Sequence, residues 1–473
     1  MIRLRNSAWT GIFFVLMFLW ATLIPAVAQE TKPLSLEEAL TRALKTDPGI
    51  RSSSFDLLAS QARSKDAVYR MIPSLAVSTG YTQLSQEPTA SPVSTGNTTY
   101  DMIVNGLLKE FSGSPNNSRD VRLDLQYPIF AGFRLREAAE LAKVQALSKA
   151  DALELTQRAL VFEIKRAYWE AVRATANVNS LSKTLELENL TKEEIRNLAD
   201  QGMATAADQL AQDSRSDQAL LSLDEAKAQQ AMAFLALSSL IGDRTADSTQ
   251  NSTSYTLTTA PLSSEAPQLK QGNLNEDQLV AQALSHRPEV RLAGTALNGA
   301  LHAQKMAQAD YYPTVLLTGA ISYQDPDPRM FPPQDKFNLT WSAGVRLRYD
   351  IGGVPGSVER NKAADADAEK ARSDLERQRN GIALDVRRCT LALNRARLSL
   401  NLTKGLVAQS EENLRVTTAK YDNGMVKKSD LLQAQIALLR SNFAVQNKMI
   451  DVEIAQADLI RATALEPVSQ ELQ

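Results

Sequence analysis

The sequence predicts a mixed α and β membrane protein, in which long coiled-coil helices accompany four transmembrane β-strands in each chain. The chain repeats itself: Pro48 and Pro288 are 240 residues apart (288 − 48 = 240), and Gly202 and Gly424 are 222 apart (424 − 202 = 222). Each copy holds two segments that alternate between apolar and polar residues, which is the period of a strand with two different faces. Each copy then continues into a long helical stretch, so one unit of strands and helices is used twice.

The alternating segments are about as long as a tilted strand that crosses a bilayer, roughly ten residues. We expect the four strands at about 74–84, 119–129, 314–324 and 339–350. Aromatic residues near their ends, such as Tyr127 and Trp341, resemble the interfacial girdles of outer-membrane barrels. The alternative is a soluble sheet with one wet face. The segments 86–118 and 325–337 are rich in turn residues and are expected to be exposed loops.

Four strands cannot form a closed barrel on their own. In hydrocarbon each unpaired backbone group at an open edge costs several kcal/mol, so other copies of the chain must complete the barrel. Two copies would supply eight strands and a filled interior, whereas three would supply twelve and leave room for a lumen. The polar face of the strands suits a wet interior and favours three copies, although two stay possible. The candidate lumen residues on that face are Arg122, Asp124, Arg346 and Arg348.

The helical stretches are 135–198, which contains neither Pro nor Gly, and 358–421. About sixty residues at ~1.5 Å each form a rod of about 90 Å, which needs a packing partner along its length. Large apolar residues recur every seven positions in the second rod, with a small residue three places after each, a pattern typical of coiled coils. The large positions are Val386, Leu393, Leu400, Val407, Leu414 and Tyr421.

The rods are expected to reverse at Gly202 and Gly424, because glycine suits the left-handed residue that ends a helix. A further helix follows each glycine, so each copy predicts one helical hairpin. A soluble helical bundle would explain these hairpins, but it would leave the four strands unexplained.

The N-terminus predicts export. Arg3 and Arg5 precede an apolar core at 12–19, and Ala26-Val27-Ala28 matches a cleavage site for a signal peptide. A single membrane anchor is the alternative, but the apolar run is short for a span of about 20 residues. No cysteine lies near the cleavage site, so lipidation there is not expected.

These observations divide the chain into a series of segments. The signal peptide is expected at 1–28, the first structural repeat at 29–241, an irregular linker at 242–273, the second repeat at 274–465 and a C-terminal tail at 466–473.

Composition excludes several functions. The 52 Lys and Arg balance 54 Asp and Glu, so no strong field favours nucleic acid. His286, His302 and Cys389 are the complete inventory of histidine and cysteine, and we expect surface or packing roles for them. No nucleophile–base pair, metal-ligand spacing or cofactor motif is found, so no catalytic residues, no metal and no cofactor are predicted.

The whole predicted mature chain resembles the TolC-type outer-membrane efflux proteins. Besides the signal and the repeat, the resemblance is carried by LQYPIFAG at 125–132, LRYDIGG at 347–353 and YDNGMVKKSDLLQAQ at 421–435. It implies a homotrimer with a twelve-strand β-barrel in the outer-membrane lipid and a long α-barrel that crosses the periplasm. It further implies an exit duct that docks to a periplasmic adaptor (membrane fusion) protein and an inner-membrane transporter, or to a type I secretion machine.

The resemblance also assigns residues at the hairpin tips. Asp430, and its counterpart Asp208 in the first copy, become candidates for a ring of carboxylates around a periplasmic aperture. The alternative is a carboxylate that only stabilises a helix N-terminus. The tips themselves are the expected adaptor contacts, although plain turn chemistry would also explain their glycines. These tip residues are Gly202, Met203, Gly424 and Met425.

The leading functional prediction is therefore a passive outer-membrane channel of a tripartite efflux or type I secretion system. The alternative is a soluble periplasmic coiled-coil scaffold protein.

Overall fold

The structure is a computed structural model of the chain. It describes residues 33–83, 85, 92–112, 117–243, 256–257, 275–327, 329–330 and 335–465. The predicted signal peptide, most of the predicted linker and the C-terminal tail lie outside these described residues.

Each half of the chain contributes short helices, two long strands and a long helical hairpin. The elements of the first half are β1 Pro33–Leu34, α1 Leu36–Thr46, α2 Pro48–Tyr69, β2 Ser74–Gln83, α3 Thr98–Ser112, β3 Asn117–Ala131, α4 Arg134–Asp200 and α5 Ala206–Leu240. The second half has β4 Thr256–Leu257, α6 Glu276–His286, α7 Pro288–Gln308, a 3-10 turn Ala309–Tyr311, β5 Thr314–Asp325, β6 Asn338–Arg348, α8 Val354–Asp422 and α9 Lys428–Thr463.

The four long strands form one antiparallel sheet in the order β2–β3–β5–β6. Residues opposite one another share a face, and the ladder sorts them by polarity. One rung is entirely apolar, formed by Val77, Leu123, Ile321 and Trp341. The next rung is polar, formed by Ser78, Arg122, Ser322 and Thr340. The apolar face is open: Val77 and Trp341 are 74% and 76% exposed.

The four helices of the two hairpins lie side by side. Helix α4 packs against α5 and α9, and α9 packs against α8, so the row runs α5–α4–α9–α8. Nearer the sheet, α2 and α7 take the places of α5 and α9 beside α4 and α8. The predicted heptad lies in this packing: Val386, Cys389 and Leu393 are all buried. With 67 and 69 residues, α4 and α8 are each about 100 Å long.

Two buried clusters flank the middle of the long helices, one from each copy. In the first, Tyr168 of α4 donates a hydrogen bond to the carbonyl of Leu34 in β1 at 3.3 Å. Helix α1 and the small parallel β1–β4 pair belong to the same cluster. In the second, α6 packs on α8 and α9 around Val386 and Leu393. The copies therefore share a backbone plan but differ in the chemistry at its centre.

The segment 86–118 is not simply a loop, contrary to expectation. Its middle forms α3, where the Asn97 side chain accepts hydrogen bonds from the backbone N–H groups of Thr99 and Tyr100 at 3.2 and 3.3 Å. The turn residues that suggested a loop flank α3, while the helix itself holds one Gly and no Pro. Strand β6 also ends earlier than expected, at Arg348, because Asp350 turns to accept the Gly353 N–H at 3.1 Å.

In the described part of the chain, none of the helices combines the length and the apolar character needed to cross a membrane.

Candidate functional site

The two hairpin tips have the same turn. Gly202 and Gly424 adopt φ angles of 75° and 71°, in the left-handed region that favours glycine. The residue after each glycine closes the turn: Met203 donates to the Leu198 carbonyl and Met425 to the Lys420 carbonyl, both at 2.8 Å. These bonds satisfy carbonyls that the helix end would leave unpaired. The predicted reversal points are therefore the observed ones.

Each tip then starts a new helix with an acidic residue in its first turn. Asp208 accepts the Thr205 backbone N–H at 2.9 Å and the Thr205 hydroxyl at 2.7 Å. Asp430 accepts the Lys427 backbone N–H at 3.1 Å. Both carboxylates thus cap their helices, as the alternative reading expected, and both remain exposed to solvent. Capping fixes the position of each carboxylate at the start of its helix.

The first tip holds its carboxylate in the charged form. Hydrogen bonds from Thr205, with a smaller contribution from the Lys427 charge, hold the pKa of Asp208 below its usual value. Asp208 therefore stays ionised further into the acid range than an ordinary aspartate.

The tips are joined along one edge. The Lys428 ammonium lies 3.9 Å from a carboxylate oxygen of Glu194, which connects α9 to α4 across the two hairpins. Met203 and Met425 project from the joined tips with exposures of 61% and 73%. Two unbranched, flexible apolar side chains are therefore exposed at this end of the molecule.

The predicted lumen residues lie at the opposite end of the long helices, on the polar face of the sheet. Arg122 donates to Asp124 at 2.8 Å, whereas Arg346 and Arg348 are exposed on β6. The structure therefore separates the candidate residues into two groups about 100 Å apart, the length of the helices between them.

A buried ionic cluster was missed by sequence reasoning. Arg287, only 6% exposed, contacts Asp385 at 2.9 Å and Glu289 at 2.6 Å, and Arg461 lies 3.3 Å from Asp385. The Cys389 thiol donates to Asp458 at 3.3 Å in the same cluster. Burial and the Asp458 charge raise the pKa of Cys389 to about 12, so its expected packing role is joined by a polar contact.

One signal could have found this cluster. Arg287 precedes Pro288 at the position where the first copy has Asp47 before Pro48 (287 − 47 = 240). A buried cation in place of a helix-capping carboxylate requires acidic partners nearby. The side chains of the two histidines contact other residues: His286 is exposed beside Ser285, and His302 contacts Glu137 at 2.7 Å. Among the described residues, no group of His, Cys, Asp or Glu could hold a metal ion.

The architecture has solved counterparts. A membrane protein from Pseudomonas aeruginosa has a TM-score of 0.72 at 21% identity, covering 90% of this chain and 93% of that one. The CmeC outer membrane channel of Campylobacter jejuni has a TM-score of 0.73 at 16% identity, covering 92% and 88%. At these identities the likeness establishes the fold.

The sequence comparisons go further than the fold. Nodulation protein T from Rhizobium leguminosarum bv. trifolii is 29% identical over 165 residues, and the match spans a third (33%) of that protein and of this chain. The model of the outer membrane efflux protein family matches residues 39–243 and 279–465, which are most of both repeats. The chain belongs to the outer membrane efflux protein family, channel proteins of the Gram-negative outer membrane that extend into the periplasm and are not enzymes.

Proposed function

We propose that the chain works as a homotrimeric exit duct that conducts substrates passively from the periplasm to the exterior. The observation that carries this proposal is the open four-stranded sheet, whose edges are β2 and β6 and whose apolar face is uncovered. Lipid would cover that face, and further copies of the sheet would pair its edges. Three copies supply the twelve strands that leave a polar lumen, lined by Arg122, Asp124 and their neighbours.

The helices support the same assembly. The row α5–α4–α9–α8 is also open at both ends, and each end helix carries exposed large apolar residues. On α5 they include Leu210, Leu221 and Met232, and on α8 they include Leu384, Leu391, Leu398, Leu402 and Leu406. If α5 of one copy packs against α8 of the next, three copies close into a helical barrel. In the sheet, likewise, one edge is β2 of the first half and the other is β6 of the second half, so both rings would join the first half of one copy to the second half of another.

The tips support a partner at the periplasmic end. We propose that a periplasmic adaptor contacts the turns at Gly202–Met203 and Gly424–Met425, and that an inner-membrane transporter supplies the energy. Asp208 and Asp430 of three copies would then surround the periplasmic aperture, where like charges favour cations. Either an efflux pump or a type I secretion machine would suit this arrangement.

Purified full-length protein tests the proposal. Native mass spectrometry in detergent should give the mass of a trimer, and planar bilayers should show single-channel conductance. A monomer without conductance would instead favour a soluble scaffold.

The same channels test the aperture residues. Asp430→Asn keeps an oxygen to accept the Lys427 N–H but removes the charge, so block by added divalent cations should weaken. Asp374→Asn on the shaft of α8 is the matched control and should behave like wild type. An unchanged cation response in Asp430→Asn would exclude Asp430 from the ring.

A further inference from the structure

Two arginines on the polar face of the sheet have no ionic partner. Arg346 and Arg348 are exposed on β6, and neither forms an ion pair within the part of the chain that the structure describes. On the ladder, Arg346 lies opposite Leu316 and Arg348 lies opposite Thr314. The neighbouring strand therefore offers them no carboxylate.

The carboxylates of that face are occupied or distant. Asp124 is paired with Arg122, and its rung reaches β6 at Ser342, four residues from Arg346 (346 − 342 = 4). Four residues along a strand are about 13 Å, well beyond an ion pair. Asp120 lies further along, on the rung of Asn338. Asp350 lies beyond the strand end, where its carboxylate accepts the Gly353 N–H; among the described residues it forms no ion pair with Arg348.

The next copy would not neutralise the pair either. In the proposed barrel, β6 of one copy pairs with β2 of the next, and this step rests on the proposed function. Strand β2, Ser74–Gln83, contains no charged residue, so this adjacent strand offers the arginines no carboxylate whatever register the two strands adopt. Three copies would then place six unpaired guanidinium groups around one end of the lumen.

The internal repeat makes this charge a property of the second copy alone. At the repeat spacing, Arg346 corresponds to Asp124 (346 − 222 = 124) and Arg348 to Gln126 (348 − 222 = 126). The first copy therefore contributes a neutralised pair and an amide where the second copy contributes two free cations. The polar face as a whole carries three arginines against two aspartates, Asp120 and Asp124.

We infer that the end of the β-barrel lumen next to the helices is a cationic zone that favours anions. Rings of arginine select anions in other pores by the same Coulombic attraction. Solutes that carry carboxylate, sulfonate or phosphate groups would be concentrated where they leave the helical duct and enter the membrane. This selectivity is opposite in sign to that of the aspartates at the tips, about 100 Å away along the duct.

Reversal potentials across planar bilayers under a KCl gradient test the zone. Replacing both arginines in Arg346→Gln/Arg348→Gln should lower the chloride-to-potassium permeability ratio roughly threefold, as a few charges acting through water over several ångströms would. Arg346→Lys/Arg348→Lys keeps the charge and should keep the wild-type ratio. Asp124→Asn frees Arg122 from its partner and should raise the ratio. Dilute salt should enlarge every difference, because screening is weaker.

The outcomes separate this inference from the proposed function. If wild-type protein forms no channels, the proposed function fails, and the charge argument loses its basis with it. If wild-type channels form and the glutamine variant keeps their reversal potential, the cationic zone is wrong while the duct stands. The single variant Arg348→Gln guards against a folding defect in the double variant and should shift the potential in the same direction.

Discussion

At the scale of single residues, Asp385 forms ion pairs with three arginines in the buried ionic cluster around Arg287. Its carboxylate contacts Arg287 at the junction of α6 and α7, Arg388 on its own helix α8, and Arg461 on α9. Burial by itself would raise the pKa of Asp385, but hydrogen bonding and the charges of Arg287 and Arg461 outweigh it and hold the pKa below its usual value. The charged form is therefore the one that the folded state stabilises.

Asp385→Asn should destabilise the protein by about 3 kcal/mol, because it leaves the buried Arg287 with one acidic partner fewer. The measurement is the denaturation midpoint of the purified protein. Since the folded pKa of Asp385 is lowered, its contribution is complete above the unfolded pKa and disappears as the pH falls through the folded pKa. The difference between wild type and variant should thus be largest at neutral pH and should narrow in acid.

Asp374→Asn is the control for this substitution. Its partner Arg377 on the surface of α8 is 81% exposed, so the free energy of unfolding derived from the midpoint should change by less than about 0.5 kcal/mol. Equal effects of the two substitutions would show that the buried ionic cluster stabilises the protein no more than an exposed ion pair does.

At the scale of elements, the strands and hairpins could be predicted because their signals are local. Period-two alternation marks a strand, and a glycine at a helix end marks a turn, within a window of a few residues. The cluster of Arg287 could not be predicted in this way, because its partners Asp385 and Ala462 lie 98 and 175 residues along the chain. The helix Thr98–Ser112 was missed because the turn residues around it dominated the segment.

Neighbouring residues on β6 allow the membrane orientation of the sheet to be tested. Ala343 shares the apolar face with Trp341, and Ser342 lies on the polar face with Asp124. An arginine facing lipid near the bilayer midplane costs about 2–4 kcal/mol, while one facing a wet lumen costs little. Ala343→Arg should therefore sharply reduce the folded protein recovered from the outer-membrane fraction, and Ser342→Arg should not. Equal recovery of the two variants would contradict the assignment of the faces.

At the scale of the whole molecule, the internal repeat explains how one chain can supply a third of a ring. Its tips and strands are close copies, so the two halves can occupy equivalent places around an axis. Its buried clusters and its lumen charges differ, because Tyr168 and Asp124 of one half have Thr390 and Arg346 at the repeat spacing in the other (390 − 168 = 222). The proposed ring is consequently threefold in chemistry and close to sixfold in shape.

The order of helices around that ring can be tested by crosslinking. Leu221 lies 18 residues beyond Met203 (221 − 203 = 18), and Leu406 lies 19 before Met425 (425 − 406 = 19), so both are about 27 Å from the tips. Both are exposed, on α5 and α8. Oxidation of the Leu221→Cys/Leu406→Cys variant should give covalent dimers and trimers on a denaturing gel, and nothing larger.

The controls rest on the same geometry. Cys389 is buried and its pKa of about 12 leaves little thiolate at neutral pH, so it should not contribute crosslinks. Leu384 lies 41 residues before Met425 (425 − 384 = 41), roughly 60 Å from the tips. The Leu221→Cys/Leu384→Cys variant should therefore stay monomeric. A ladder that continues past the trimer would indicate an open chain of subunits, because a closed ring of three has no free edge left to react.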